Sequence, residues 1–173
     1  MKGILLVAVI ALVANGAPGA LHGQGLDAVK QCNEITNNPD LRIYHCTQAI
    51  QSGQLPSEKL TGTLVKRANA WYAKKDYDKA ISDLDQAIRL NPEFANALFN
   101  RGLAWGAKGD YDKAIADLDR AIRLNPRDTG ALNNRGNTWS SKGDYDKAIA
   151  DYDQAIYLNP QDAGAFYNRG LAW

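Results

Sequence analysis

The chain repeats a short segment every 34 residues, and this period limits its fold more than any other feature of the sequence. Residues 75–81 read KDYDKAI, and residues 109–115 and 143–149 both read GDYDKAI. A fixed period of this length is typical of solenoids, in which each unit packs only against its neighbours. The period predicts full units at 61–94, 95–128 and 129–162, followed by a partial unit at 163–173.

The apolar pattern inside each unit predicts two helices. In the second unit Leu98, Gly102 and Trp105 are spaced to share one face of a first helix. We expect Lys108-Gly109 to end this helix and Asp110 to cap the next one. We also expect Asn125 to take a left-handed conformation that closes the second helix, which Pro126 prevents from continuing. The apolar stripe of the second helix consists of Ala114, Ile115, Leu118, Ala121 and Ile122.

The chain resembles the tetratricopeptide repeat family in the type and spacing of these residues. The first unit departs from the pattern, with Ala68 where the later units have Gly102 and Gly136. The resemblance covers residues 61–173 and implies an all-α fold, a right-handed superhelical solenoid of antiparallel helix pairs. The matching residues are Leu98, Gly102, Trp105, Tyr111, Ala114, Leu118, Ala121 and Pro126, then Leu132, Gly136, Trp139, Tyr145, Ala148, Tyr152, Ala155 and Pro160.

Residues 21–60 follow the period poorly and are predicted to form a degenerate helical cap over the first unit. Arg42 occupies the place of a small residue in the later units, so close packing is in doubt there. Cys32 and Cys46, the only cysteines, predict a disulfide if the chain is exported. The alternative is a metal site that adds His45 to the two thiolates, although a fourth ligand is missing.

Residues 1–20 have the order of a secretory signal, with Lys2, an apolar run at 4–14 and then small residues. The run is too short to span a bilayer as a helix. We therefore expect a periplasmic or secreted mature chain without membrane insertion, and an uncleaved anchor is the alternative. Without Lys2 the acidic and basic residues balance, so the net charge gives no reason to expect a nucleic-acid partner.

Residues that could perform catalysis are scarce. His45 is the one histidine clear of the leader, so a histidine-based triad is not expected, and the sequence predicts no enzymatic activity, no cofactor and no metal site. The recurring aspartates predict a solvated, ion-paired face with Lys113, Arg120 and Arg123 rather than a calcium loop. These aspartates are Asp110, Asp112, Asp117 and Asp119, and the tryptophans that predict a packing ladder are Trp71, Trp105, Trp139 and Trp173.

The family resemblance implies a concave groove that is lined by the first helix of each unit and binds peptides. We expect Phe99 and Asn137 to carry partner binding with little effect on stability. Asn100, Asn134 and Asn168 recur with the period, so bridging between neighbouring helices is an alternative role for them. The groove residues expected are Asn69, Tyr72, Asn96, Phe99, Asn100, Leu103, Asn133, Asn134, Asn137 and Tyr167, together with Val65, Ser140 and Asn168.

The family's best-known site grips a C-terminal carboxylate with three cations and two asparagines. The matching places hold Val65, Asn69, Asn100, Gly130 and Asn134. Because all three cations are missing, we do not expect a clamp of this kind.

These observations lead to the hypothesis of a protein–protein interaction scaffold that binds a peptide or partner protein in an exported compartment. The alternatives are a regulatory or positioning fragment of a larger envelope enzyme, or part of a carbohydrate-associated assembly. In the partial unit, Phe166, Gly170 and Trp173 share a face that a following helix would cover. We expect either a longer natural product or a two-fold homodimer through this end, with residues 163–173 the least stable helix of a monomer.

Overall fold

The computed structural model describes residues 27–173, which form nine helices and no strand. The predicted leader, residues 1–20, lies outside the described residues. Helix α1 covers residues 27–34. The others are α2 (Pro39–Gln51), α3 (Ser57–Ala73), α4 (Tyr77–Leu90), α5 (Ala95–Ala107), α6 (Tyr111–Leu124), α7 (Thr129–Lys142), α8 (Tyr145–Leu158) and α9 (Ala163–Ala172).

The helices from α2 onward stack in chain order, and each packs against the one before and the one after it. The first helices of successive units, α3, α5, α7 and α9, also contact one another, whereas α4, α6 and α8 do not. The first helices therefore line the inner side of the curved stack. This arrangement confirms the predicted all-α solenoid. No described helix is both long and apolar enough to cross a membrane.

Glycine allows the two helices of a unit to approach closely. A Cβ atom on Gly102 would lie 2.8 Å from Leu118 Cγ, and one on Gly136 would lie 2.6 Å from Tyr152 Cε1. Leu118 and Tyr152 are almost fully buried, so neither side chain has free space into which it could move. The small residue at this place in the repeat is therefore a packing requirement of the second and third units.

The helix boundaries agree with the capping expected from the sequence, except at the end of the second helix. Gly109 has a left-handed backbone with φ of 83°, and the Asp110 carboxylate accepts a hydrogen bond from the Lys113 amide. Asn125, in contrast, has φ −138° and ψ 86°, so its predicted left-handed conformation is wrong. The cause is Pro126, which restricts the preceding residue to extended backbone.

A ladder of buried arginine–aspartate pairs joins the units. Arg101 on α5 donates to both carboxylate oxygens of Asp117 on α6, at 2.7 Å each, and to Asp85 on α4 at 2.6 Å. It thus connects its own unit to the preceding one. Equivalent bonds join Arg67 to Asp83 and Thr47, Arg135 to Asp151 and Asp119, and Arg169 to Asp153.

The prediction of a solvated aspartate face is consequently wrong for one aspartate of each unit. Asp117 is only 5% exposed, and Asp83 and Asp151 are similarly buried. A buried carboxylate requires a paired cation with good hydrogen-bond geometry. Asp110 is partly exposed and forms an ion pair with Lys113, whereas Asp112 is exposed and forms an ion pair with Lys142.

Cys32 at the end of α1 and Cys46 on α2 are both buried and are joined by a disulfide. This bond is incompatible with the alternative metal site that would use both thiolates. Arg42, which interrupts the small-residue pattern, donates through Nε to the Ile35 carbonyl, so its guanidinium holds the α1–α2 connection. One disulfide bond therefore joins α1 to α2, and one hydrogen bond joins α2 to the segment between them.

Candidate functional site

A pocket of about 190 Å³ opens on the inner side of the stack between α5 and α7. Its apolar part comes from Leu103, Gly106 and Ala107 on α5. The tyrosines at its edge come from α3 and the start of α6, and the polar part comes from α7. The other lining residues are Tyr72, Gly102, Tyr111, Asn134, Asn137, Thr138 and Ser141. None of the lining residues carries a carboxylate, ammonium or guanidinium group.

Gly106 is a lining residue of α5 that has no side chain, and the space beside it is open. A Cβ atom built there would meet only Ala114 Cβ at 3.8 Å and Thr138 Oγ1 at 3.9 Å, which are ordinary contact distances. Unlike Gly102, Gly106 is therefore not needed for helix packing. Its hydrogen atom leaves the space between the two helices open.

The position of the Asn137 side chain is fixed by the core. Tyr152 on α8 passes its ring beside Gly136, and its hydroxyl donates to Asn137 Oδ1 at 2.7 Å. Burial, and then the neighbouring Asp151, raises the pKa of the Tyr152 phenol, so the hydroxyl remains a donor at neutral pH. Because this bond holds Oδ1 toward α8, the Asn137 amide turns its NH₂ donors toward the groove.

Asn100 and Asn134, which occupy equivalent places on α5 and α7, form hydrogen bonds within their own helices. Asn134 Nδ2 donates to the Gly130 carbonyl at 2.8 Å, and Asn100 Nδ2 donates to Asn96 Oδ1 at 2.6 Å. The alternative hypothesis that Asn100 and Asn134 bridge neighbouring helices is therefore wrong. Both side chains retain an oxygen acceptor for another group.

Asn133 and Val65 do not lie open in the groove as expected. Asn133 Nδ2 donates to Asp162 at the start of α9 at 2.8 Å, while its Oδ1 is buried without a protein partner. Val65 is 5% exposed and belongs to the apolar core, so its assignment as a groove side chain is wrong. At this place in the repeat the first unit uses its side chain for packing.

Phe99 is half-buried and packs against the apolar clusters of two successive units. The expectation that stability hardly depends on Phe99 is therefore wrong, because truncating it would remove contacts with both clusters. Leu103 is partly exposed and lines the pocket. It is the better apolar position at which to test binding separately from folding.

The remaining expected groove residues lie along the same inner surface. Asn69 on α3 and Asn96 on α5 are exposed, and Tyr167 on α9 is 67% exposed. Tyr72 contacts Tyr77 with ring centroids 5.3 Å apart, and burial, followed by the effect of Tyr77, raises the pKa of Tyr72. Tyr72 therefore presents a neutral phenol at the edge of the pocket.

The tryptophans of the three full units lie near the ends of the first helices, next to the turns that lead to the second helices. Each ring is partly buried and has a lysine of the next helix over its face. The distance from the ammonium nitrogen to the ring centroid is 4.4 Å for Lys79 and Trp71, 4.2 Å for Lys113 and Trp105, and 4.3 Å for Lys147 and Trp139. These cation–π contacts fix the turn, so the tryptophans serve packing rather than the groove. Trp173 differs, since it is 90% exposed.

Within residues 27–173, no group of three or more histidine, cysteine, aspartate or glutamate side chains is arranged to hold a metal ion. His45 packs edge-on against Tyr44 with ring centroids 5.0 Å apart. The polar chemistry of the groove is thus supplied by amides and phenols.

Comparison with known proteins gives the same fold. Two models described as tetratricopeptide repeat match residues 65–129 and 130–162. The chain belongs to the tetratricopeptide repeat family. No curated protein matches it at a significant level.

Solved structures of tetratricopeptide repeat (TPR) proteins superimpose on most of the chain. MamA protein shares 25% identity at a TM-score of 0.76, covering 89% of this chain and 81% of its own. The Arabidopsis OM64 TPR domain shares 26% identity at a TM-score of 0.66, covering 68% and 97%. The first TPR of Spaghetti (RPAP3), bound to the HSP90 peptide SRMEEVD, shares 22% identity at a TM-score of 0.65, covering 68% and 93%.

Three features were not predicted from the sequence. The arginine ladder was signalled by Arg67, Arg101, Arg135 and Arg169, which recur at the 34-residue period together with buried aspartates 16 residues later in the three full units. The role of Tyr152 was signalled by its replacing Leu84 and Leu118 at the same place in the repeat. The role of Gly106 was signalled by its departure from the period, because Tyr72 and Ser140 stand at its place in the neighbouring units, whereas the packing glycines Gly102 and Gly136 recur.

Proposed function

We propose that this protein is an interaction scaffold that holds an extended, uncharged peptide segment of a partner protein along the inner groove of its repeats. The observation that carries this proposal is the pocket between α5 and α7, which lies on the inner face and has amide, hydroxyl and apolar groups but no charged side chain. Its volume of about 190 Å³ suits one side chain, whereas pockets for small-molecule ligands usually measure roughly 300–1,000 Å³.

The groove chemistry supports a partner different from the acidic peptide that one of the similar domains binds. The RPAP3 domain is bound to a peptide that ends in EEVD. Here Val65 and Gly130 stand at two of the cation places of such a clamp, and Asn134 stands at the third. An acidic tail would find no guanidinium or ammonium at these places, so it would lose the charge-assisted hydrogen bonds on which a clamp depends.

We propose further that the protein works in an exported compartment, periplasmic or secreted. The order of residues 1–20 supports this proposal, as does the Cys32–Cys46 disulfide, because such bonds persist in oxidising compartments. Fractionation of the native host, with mass measurement of the mature N-terminus and of free thiols, tests it. An intact leader with two free thiols in the cytoplasmic fraction would contradict it.

The binding role is tested by cross-linking pull-down from the native compartment with two variants of the same chemistry. Leu103→Arg places a cation beside the groove pocket, while Gln154→Arg places one on the exposed side of α8. We expect Leu103→Arg to lose the partner and Gln154→Arg to retain it at the wild-type level. Equal capture by both variants would move the binding surface away from the groove.

Self-association through α9 is a second proposal, favoured by the exposure of its apolar side chains. Phe166 on α9 and Trp173, which directly follows the helix, are both exposed, and their spacing of about two helical turns places them on one face. Burial of such a patch against the same patch of a second chain would form a two-fold dimer. Sedimentation of wild type and Phe166→Asp over a range of concentrations tests this proposal, and a wild-type chain that stays monomeric at high concentration would refute it.

A further inference from the structure

The pocket between α5 and α7 carries an inference that rests on the proposed function and specifies what the groove recognises. We propose that this pocket is a subsite for one uncharged side chain of up to about the size of leucine or methionine, and that Asn137 binds the peptide carbonyl beside it. Tyr152 is the positioning residue that turns the Asn137 amide toward the peptide. The ligand class is thus an extended peptide segment read internally, without a free terminus or a charged anchor.

The polarity of the Asn137 amide follows from its contact with the core. An asparagine amide has one oxygen, which accepts hydrogen bonds, and two N–H donors, and the Tyr152 hydroxyl donates to that oxygen and holds it toward α8. Tyr152 is 1% exposed, so the bond comes from beneath the groove and leaves the outer side of Asn137 free. A donor fixed in this way suits a backbone carbonyl, because it costs little ordering on binding.

The neighbouring Asn134 has the opposite polarity. One N–H of its Nδ2 donates to the Gly130 carbonyl, while Oδ1 is free of hydrogen bonds to the described residues, so Oδ1 is available as an acceptor. Asn134 and Asn137 are three residues apart on α7 and line the same pocket. An extended peptide offers an N–H and a carbonyl within one residue, which matches an acceptor and a donor on one helix face.

The size and charge of the side chain follow from the lining. Leu103, Ala107 and the Tyr72 ring form an apolar wall, and the floor is the α5 backbone at Gly106. A carboxylate or ammonium entering here would lose water without meeting an opposite charge, which is unfavourable. The side chains that fit are aliphatic or otherwise uncharged.

The peptides for the test come from display of random octapeptides within a Gly-Ser frame, so that neither terminus of the octapeptide is free. The leading sequence is then synthesised with acetylated and amidated ends and measured against purified variants by calorimetry. We expect the selected peptides to share one uncharged anchor residue, with acidic and basic residues depleted at that position. Selection of no binding peptide, or of peptides with a charged anchor, would overturn the proposal.

Two variants, each with a control, examine the subsite without removing a packing contact from the core. Gly106→Leu fills the pocket, and Gly170→Ala on α9 is its control for adding a side chain to a helical glycine with space around it. Asn137→Asp keeps the acceptor for Tyr152 but replaces the outward donor with a second acceptor. Its control is Gln154→Glu, the same amide-to-acid change on the exposed side of α8.

We expect Gly106→Leu and Asn137→Asp each to weaken the peptide by about tenfold or more, with circular dichroism and melting behaviour of the wild type. The controls keep wild-type affinity. N-methylation along the peptide should abolish binding at one bond, where the N–H meets Asn134. Peptides that bind Gly106→Leu as tightly as wild type would refute the subsite while leaving the scaffold proposal standing if Leu103→Arg still loses them.

The positioning role of Tyr152 is separated from a structural one by a double-mutant cycle. Tyr152→Phe frees the Asn137 amide to rotate, so we expect affinity to fall by about tenfold from the loss of one oriented hydrogen bond. In an Asn137→Ala background the same change should leave affinity unaltered. A further loss in that background would show that Tyr152 acts through packing and would overturn its assigned role.

Discussion

The arginine ladder makes a stability prediction that can be worked from single contacts. Arg101→Met keeps a long apolar stem but removes the guanidinium that pairs with Asp117 and Asp85. Asp117 is 5% exposed and would be left with its charge buried and unpaired. We expect a large loss of stability that spreads to both units, because Arg101 joins α5 to α4 and α6.

The magnitude is set mainly by Asp117. Removing one partner of a buried ion pair costs about 3–5 kcal/mol. The Arg101 side chain is 19% exposed, so we place the loss near the lower limit, at about 3 kcal/mol. Asp85 is more exposed and adds only about 0–1 kcal/mol. The Arg101–Asp117 hydrogen bond also raises the pKa of the guanidinium, against the opposing effect of burial, so Arg101 remains charged throughout the accessible pH range.

Arg169 provides a matched control within the same chain. It donates to Asp153 as Arg101 donates to Asp85, but among the described residues it has no second, buried carboxylate. Arg169→Met should therefore cost roughly 0–1 kcal/mol. Urea unfolding followed by circular dichroism measures both variants, with Asp85→Asn included to isolate the exposed contact.

Similar losses for Arg101→Met and Arg169→Met would refute the reasoning, because they would show that the buried carboxylate contributes no more than the exposed one. A second arm uses Arg101→Met combined with Asp117→Leu. Replacing both partners removes the unpaired charge, so this double variant should recover much of the stability lost in Arg101→Met.

Three further outcomes follow from the packing, the caps and the disulfide. Gly136→Ala should destabilise the chain by about 1–3 kcal/mol because its Cβ would meet Tyr152. Gly106→Ala should be neutral or stabilising by up to about 1 kcal/mol, and thermal melts compare the two variants. The Lys113 hydrogen bond lowers the pKa of Asp110 in the folded chain, so the Asp110 cap stabilises fully above the unfolded-state pKa of about 3.9 and is lost as pH falls through the folded-state pKa. Asp110→Ser should therefore make the free energy of unfolding depend less steeply on pH below about pH 4. Reduction of Cys32–Cys46 should lower the unfolding free energy by about 3 kcal/mol at most, and equal urea midpoints with and without reductant would contradict this.

The helices and their packing faces could be predicted because the repeat carries local information. Gly109, Asp110 and the apolar stripe of α6 specify the turn, the cap and the buried face by rules that act within a few residues. The left-handed Asn125 was mispredicted because two local rules compete there. Asparagine tolerates that conformation, but the following Pro126 excludes it, and the restriction imposed by proline dominates.

The groove was harder to predict because exposure depends on the neighbouring unit. Val65 and Phe99 occupy the same place as Asn133 and Tyr167, yet Val65 is buried and Phe99 packs across a unit boundary. Helix periodicity identifies the direction in which a side chain points but not what the adjacent helix places beside it. The orientation of Asn137 likewise depends on Tyr152, which lies 15 residues away on another helix.

Comparison of the units with one another separates the framework from the recognition surface. An arginine of the ladder stands at the same place in every unit, and in the three full units it pairs with a buried aspartate of the second helix. A tryptophan likewise recurs three residues after the small residue of each unit, at Trp71, Trp105, Trp139 and Trp173. The residue directly after that small residue varies instead, and it is Asn69, Leu103, Asn137 or Leu171. Shared packing favours identity at the framework places, whereas the groove places vary from unit to unit. If the groove binds a partner as proposed, its selectivity is expected to depend on the places where the sequence departs from its own period, and Leu103 and Asn137 are two such departures that line a single pocket.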